Sequence, residues 1–130
     1  MGNSNQKITT FLMFDGKAEE AMNFYTSIFD ESEINSVFHQ EDGKVLHAIF
    51  TLKGQQFMCI DNTNGNHHAF TPAISLFITC DTEEEIDRVF EKLAQDGTVL
   101  MPLAALPVSE KFGWIADKFG VSWQLNLPKN

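Results

Sequence analysis

Two kinds of hydrophobic spacing alternate along the chain. Residues 7–14 are rich in β-branched and aromatic types and stop at Asp15-Gly16, a turn signal, which predicts a strand. From Lys17 the apolar residues Ala18, Ala21, Met22, Phe24, Tyr25, Ile28 and Phe29 recur at helical spacing, while Glu19, Glu20 and Asn23 fill the other face. An amphipathic helix over 17–30 is expected. Three strand-like runs follow: 33–39, 45–53 after the Asp42-Gly43 hairpin signal, and 55–61 after Gly54. Residues 62–72 are polar, without periodicity, and include His67-His68 and Pro72, so they read as a connector.

The second half repeats the order, with a strand over 73–80, a helix over 82–95 and strand-like runs near 99–103, 112–117 and 121–127. Sliding the chain by 66 residues brings Ile8 onto Ile74, Thr9 onto Ser75, Phe11 onto Phe77, Asp15 onto Asp81, Glu19 onto Glu85 and Phe24 onto Phe90. The same shift brings Gly54 onto Gly120 and Phe57 onto Trp123. One shared register for strand, helix and last strand is the mark of a duplicated unit. The prediction is an α+β chain of two βαβββ repeats, 7–61 and 73–127, joined by 62–72 within one domain and preceded by a flexible end over 1–6.

Composition narrows the partners. At 130 residues the chain suits one domain, and no apolar run approaches the ~18 residues of a membrane span. The polar start Met1-Gly2-Asn3-Ser4-Asn5-Gln6 lacks the basic-then-apolar pattern of a signal peptide. Cys59 and Cys80 both lie inside apolar runs, where a reduced cysteine behaves as a small hydrophobe, so a reducing, cytoplasmic compartment is expected. Eighteen acidic against nine basic residues give a net charge of −9, which repels nucleic acid and anionic lipid and makes either an unexpected partner. The run Asp81-Thr82-Glu83-Glu84-Glu85 reads as a helix cap with acids in the first turn, not as an acid catalyst, and Glu19-Glu20 as the same device in the first half.

Two βαβββ units with sheets curled toward each other resemble the vicinal oxygen chelate superfamily of glyoxalase, bleomycin-resistance and dioxygenase proteins. Phe14-Asp15-Gly16-Lys17-Ala18-Glu19-Glu20-Ala21-Met22-Asn23-Phe24-Tyr25 resembles the opening of its PhnB-like branch. Phe112-Gly113-Trp114-Ile115-Ala116-Asp117-Lys118-Phe119-Gly120-Val121-Ser122-Trp123-Gln124 resembles that branch's end. The resemblance runs from Lys7 to Pro128 and implies curled mixed sheets and a homodimer. Some members of the branch are labelled 3-demethylubiquinone-9 3-methyltransferase. The sequence carries neither the Gly-rich turn after a parallel strand nor the βαβα alternation that nucleotide-binding methyl transfer usually uses.

The resemblance also implies where a divalent metal would sit, on the first and last strands of each unit. A strand-one ligand stands about seven residues before the aspartate that opens the helix, which selects Ile8 and Ile74. A last-strand ligand stands seven after the aspartate of the Asp-x-x-Gly turn, which selects Gln124 and, at the repeat offset, Met58. Ile, Ile, Gln and Met cannot supply His or carboxylate donors, so neither a metal nor another cofactor is expected. Of the histidines, His67 and His68 fall in the connector, His39 ends a strand beside a charged turn, and His47 alone lies where it could line a cavity.

If Gln124 faces inward, alternation places Ser122 and Asn126 inward too and turns Val121, Trp123, Leu125 and Leu127 toward the helices. Gln56, Met58 and Ile60 share one face of the fourth strand, and Ile8, Thr10, Leu12, Ile74, Leu76 and Ile78 are expected to complete the walls. Trp114 and His47 join them as candidate ligand contacts. Three functions follow: a binding module for a small organic ligand, which needs no catalytic group; a small-metabolite enzyme in which Gln124, His47 or Ser122 orients an oxygen; and the labelled methyltransferase. Whether the chain catalyses anything stays open at this point.

Overall fold

A computed structural model describes residues 6–63 and 65–130. Among them the chain forms two compact units, one ending at His68 and the other starting at Ala69. The first carries β1 (Thr10–Phe14), α1 (Ala18–Thr26), β2 (Glu33–His39), β3 (Val45–Leu52) and β4 (Gln55–Asp61). The second carries β5 (Leu76–Thr79), α2 (Glu83–Ala94), β6 (Thr98–Leu106), β7 (Ser109–Ala116) and β8 (Ser122–Pro128). The sheet orders are β1-β4-β3-β2 and β5-β8-β7-β6, each with its first and last strands parallel and the rest antiparallel. The two βαβββ units are what the spacing predicts, and the mixed sheets are what the resemblance implies.

The repeat extends to the pairing. Thr10 sits opposite Phe57 and Phe11 opposite Met58, while Leu76 sits opposite Trp123 and Phe77 opposite Gln124. These are the same pairs displaced by 66 residues, so the parallel register itself is duplicated.

In the first unit α1 presents Ala18, Ala21, Met22 and Tyr25 to one face of the sheet, where Leu12, Phe14, Ala48, Phe50, Phe57 and Cys59 are buried. The helix ends earlier than the apolar spacing suggests. Thr26 Oγ1 and Ser27 Oγ hydrogen-bond to the carbonyls of Met22 and Phe24, local bonds that compete with helix continuation. Ile28 and Phe29 remain buried beyond the helix. In the second unit Ile86, Val89 and Leu93 of α2 cover Ile115, Trp123 and Leu125. Lys111 on β7 bridges to Glu83 and Asp87 of α2, each at 2.8 Å, and its pKa is raised chiefly by the bond to Asp87 and then by that to Glu83.

The two helices are capped differently. Thr82 Oγ1 accepts the Glu85 N–H at 3.1 Å, as the sequence predicts. The N-cap of α1, Lys17, makes no such bond. The Ala18 N–H is instead held at 2.9 Å by Asp61, a buried carboxylate at the end of β4 that also accepts from Val45 N. Glu19 and Glu20 stand in the first turn of α1 as the sequence predicts and also pair with His39 and Lys17, so the halves share the acidic first turn and differ in the side-chain cap. β5 starts three residues later than expected, because Ala73 and Ile74 turn back onto the Thr71 hydroxyl and carbonyl.

Candidate functional site

Helices cover one face of each sheet, and the candidate chemistry lies on the other. On β8 Trp123, Leu125 and Leu127 are buried on the helix side, while Ser122, Gln124 and Asn126 share the other face, where Gln124 and Asn126 are half-buried and Ser122 is buried. β7 contributes Phe112, Trp114 and Ala116 to that face, opposite Asn126, Gln124 and Ser122.

The strand-one parity is the opposite of the expected one. Phe11 pairs with Met58 and Phe77 with Gln124, so the open faces carry Phe11 and Met13, and Phe77 and Thr79. Leu12 and Phe14 are buried beneath α1. Thr10 belongs to the parity of Phe57, on the helix side, as do Leu76 and Ile78 on the parity of Trp123 and Leu125. Ile8 and Ile74 precede their strands and are 90% and 79% exposed. Ile8, Thr10 and Ile74 are therefore not brought together with Met58 or Gln124.

In the first unit Gln56, Met58 and Ile60 keep their shared parity, and Ile49 lies opposite Met58. The His47 ring lies 6.2 Å from that of Phe11, tilted, so His47 belongs to this apolar face. Gln56 is engaged through its backbone, whose N–H and carbonyl bond to the amide of Gln6 at 3.2 and 3.0 Å.

In the second unit four predicted or neighbouring polar groups form one network. The Trp114 indole donates to Ser122 Oγ at 2.8 Å, the hydroxyls of Ser122 and Ser75 are 2.7 Å apart, and Gln124 Nε2 reaches Ser75 Oγ at 3.4 Å. Gln124, Ser122 and Trp114 are thus brought together through Ser75. Ser75 and Phe77 were missed, although the parity set by Gln124 together with the parallel pairing points to both. Asn126 Oδ1 accepts from Ser109 Oγ at 2.5 Å.

The donor set does not fit a divalent ion. With parity corrected, the first and last strands offer Thr9, Phe11 and Met58 in one unit and Ser75, Phe77 and Gln124 in the other, without a carboxylate, imidazole or thiolate, and the single His47 ring on β3 beside Phe11 adds too few donors. Elsewhere His67 pairs with Asp15, and His39 with Glu19 at 2.8 Å. A hollow of about 340 Å³ touches Asp15, Lys44, Asn62 and His67, and one of about 330 Å³ touches Asp81, Thr82, Glu83 and Glu110. They occupy equivalent places in the two repeats, and neither contains a predicted site residue.

Cys59 is fully buried, and burial followed by the nearby Asp61 carboxylate raises its pKa from 9.0 to about 12. The nucleophilic thiolate is suppressed at neutral pH. Raising the folded pKa means the folded chain keeps a proton that the unfolded chain loses. The thiol's contribution to stability is therefore complete below pH 9 and diminishes as pH rises toward 12. Thiol reagents at pH 8 should leave Cys59 unmodified in the native protein and label it after denaturation, as read by mass spectrometry. Labelling at the rate of a free thiol would contradict its burial.

The two βαβββ units define a protein of the glyoxalase/bleomycin-resistance fold. A glyoxylase/bleomycin resistance protein/dioxygenase domain from Frankia sp. EAN1pec superposes with a TM-score of 0.72 at 16% identity, covering 98% of this chain and 100% of that one. Within that class, the chain belongs to the 3-demethylubiquinone-9 3-methyltransferase family, the PhnB-like branch, which matches residues 6–126. A PhnB protein from Bacillus cereus is 64% identical with a TM-score of 0.90, covering 94% of this chain and 99% of that one. The protein PA1353 of Pseudomonas aeruginosa is 26% identical with a TM-score of 0.82, covering 97% and 100%.

Proposed function

We propose that this protein binds a small organic molecule on the open face of its second unit and needs no metal to do so. One observation carries the reading: Gln124 lies in register between Phe77 on β5 and Trp114 on β7, with an amide oxygen that accepts no hydrogen bond among the described residues. A polar group set in an aromatic wall is the usual make-up of a ligand site. Methyl transfer, which the family's description names, gains no support from this architecture. Each sheet has a single parallel pair, and a doubly wound nucleotide site would need several.

Replacing Gln124 with alanine should weaken ligand binding by about 1–3 kcal/mol, the cost of unpairing a polar contact in a dry site, with little change in melting temperature. Lower thermal stability with unchanged affinity would instead make Gln124 a structural residue and remove the anchor of this proposal. The same reading takes the protein to be cytoplasmic, supported by the two buried, reduced thiols of Cys59 and Cys80, and homodimeric, supported by exposed Val99, Leu100 and Met101 on the edge strand β6. Light scattering measures the second of these. Among the described residues no helix is long and apolar enough to cross a membrane.

A further inference from the structure

We infer that the ligand of this face is an uncharged, planar molecule that presents a hydrogen-bond acceptor beside a donor, as a lactam or carboxamide does. The inference rests on the binding reading above and names the chemistry that site selects.

The hydrogen-bond network has a direction. Trp114 can only donate, so Ser122 Oγ accepts from it, and Gln124 Nε2 donates to Ser75 Oγ. One hydroxyl proton then spans the Ser75 and Ser122 pair. If Ser75 supplied it, the proton of Ser122, a residue 2% exposed, would have no acceptor, and an unpaired buried donor is the costlier arrangement. Ser122 therefore donates to Ser75. The half-buried Ser75 is left with a hydroxyl proton that no described residue accepts, 3.4 Å from the amide nitrogen of Gln124, whose oxygen is likewise unengaged among the described residues. A free donor and a free acceptor thus stand side by side, with their relay fixed from behind by the indole.

Charge is the second constraint. The chain is 21% charged, yet Leu76–Thr79, Thr98–Leu106 and Ser122–Pro128 contain no charged residue, and β7 carries its two, Glu110 and Lys111, at its start, with Lys111 bridged to α2. Beside Gln124 and Ser75 these strands offer an anion no cation and a cation no anion among the described residues, so either would lose hydration without recompense there. Phe77 and Phe112, with ring centroids 6.4 Å apart, and Trp114 supply flat apolar surface around the polar pair, which suits a planar ring.

The test is a titration of isotope-labelled protein with 2-pyridone and benzamide against their charged counterparts benzoate, phenylphosphonate and benzamidinium, following the Trp114 indole and Gln124 amide NMR signals. The expected result is saturable shifts for the two neutral probes and about tenfold weaker response to the charged ones. Ser75→Ala should weaken neutral-probe binding by about tenfold, and Gln124→Glu should turn the preference toward benzamidinium. If the charged probes shift the same signals as strongly, the face binds ligands but the uncharged class is wrong. If none of the five moves either signal, the binding face falls together with the class.

Discussion

Asp117→Ala should lower the unfolding free energy by about 4 kcal/mol, and the melting temperature by roughly 15 °C for a chain of this size. Asp117 is buried, and its two oxygens accept three hydrogen bonds, from Phe119 N at 2.8 Å, Val121 N at 3.0 Å and the Trp123 indole at 2.8 Å. The first two hold the turn between β7 and β8. Gly120 completes that turn at φ +93°, where a side chain would be strained. The third orients Trp123, the largest fully buried side chain of the core. Removing the carboxylate leaves all three donors unpaired, each costing about 1–3 kcal/mol less whatever water can re-enter.

Asp117→Asn separates the parts, because an amide oxygen can still serve the two backbone donors while its nitrogen opposes the indole N–H. It should cost about half as much, and Trp123→Phe in that background should cost about 1–2 kcal/mol less than in the native chain. Denaturant unfolding measures each step. A loss below about 1 kcal/mol for Asp117→Ala would show that this carboxylate does not hold β7 to β8.

Gly97→Ala is the second large effect. Gly97 lies where the chain leaves α2 for β6, and a methyl group there would collide with the Ala116 carbonyl oxygen and stand 3.1 Å from Asp117 Cα. Those atoms belong to the end of β7, which pairs with the start of β6, so a side chain cannot relieve the clash by rotating. About 2–3 kcal/mol of destabilisation is expected, near 10 °C in melting temperature. Gly43→Ala provides the contrast. Its methyl would meet nothing within 4 Å, so the cost reduces to the strain of φ +89°, about 1 kcal/mol. Equal losses at the two positions would show that backbone conformation, rather than crowding against β7, sets the cost at Gly97.

The repeat, the element order and the inward set on β8 were legible in the amino-acid sequence by itself. A 66-residue offset carries over into the pairing of Phe11 with Met58 and Phe77 with Gln124, because a duplicated hydrophobic pattern folds twice the same way. On β8 the alternation of Ser122, Gln124 and Asn126 with Trp123, Leu125 and Leu127 leaves one choice of face. On β1 the sequence could not choose. Phe11 and Met13 are as apolar as Leu12 and Phe14, so a period of two gives two equally good faces, and the placement of α1 decides which is buried. The same choice, made in each unit, moved Thr10 off the site and brought Phe77 onto it, while Ile8 and Ile74 left it because they precede their strands. The distant caps were beyond local reading for a related reason. Asp61 meets Ala18 across 43 residues, a contact that side-chain spacing within a helix cannot encode and only the folded sheet creates.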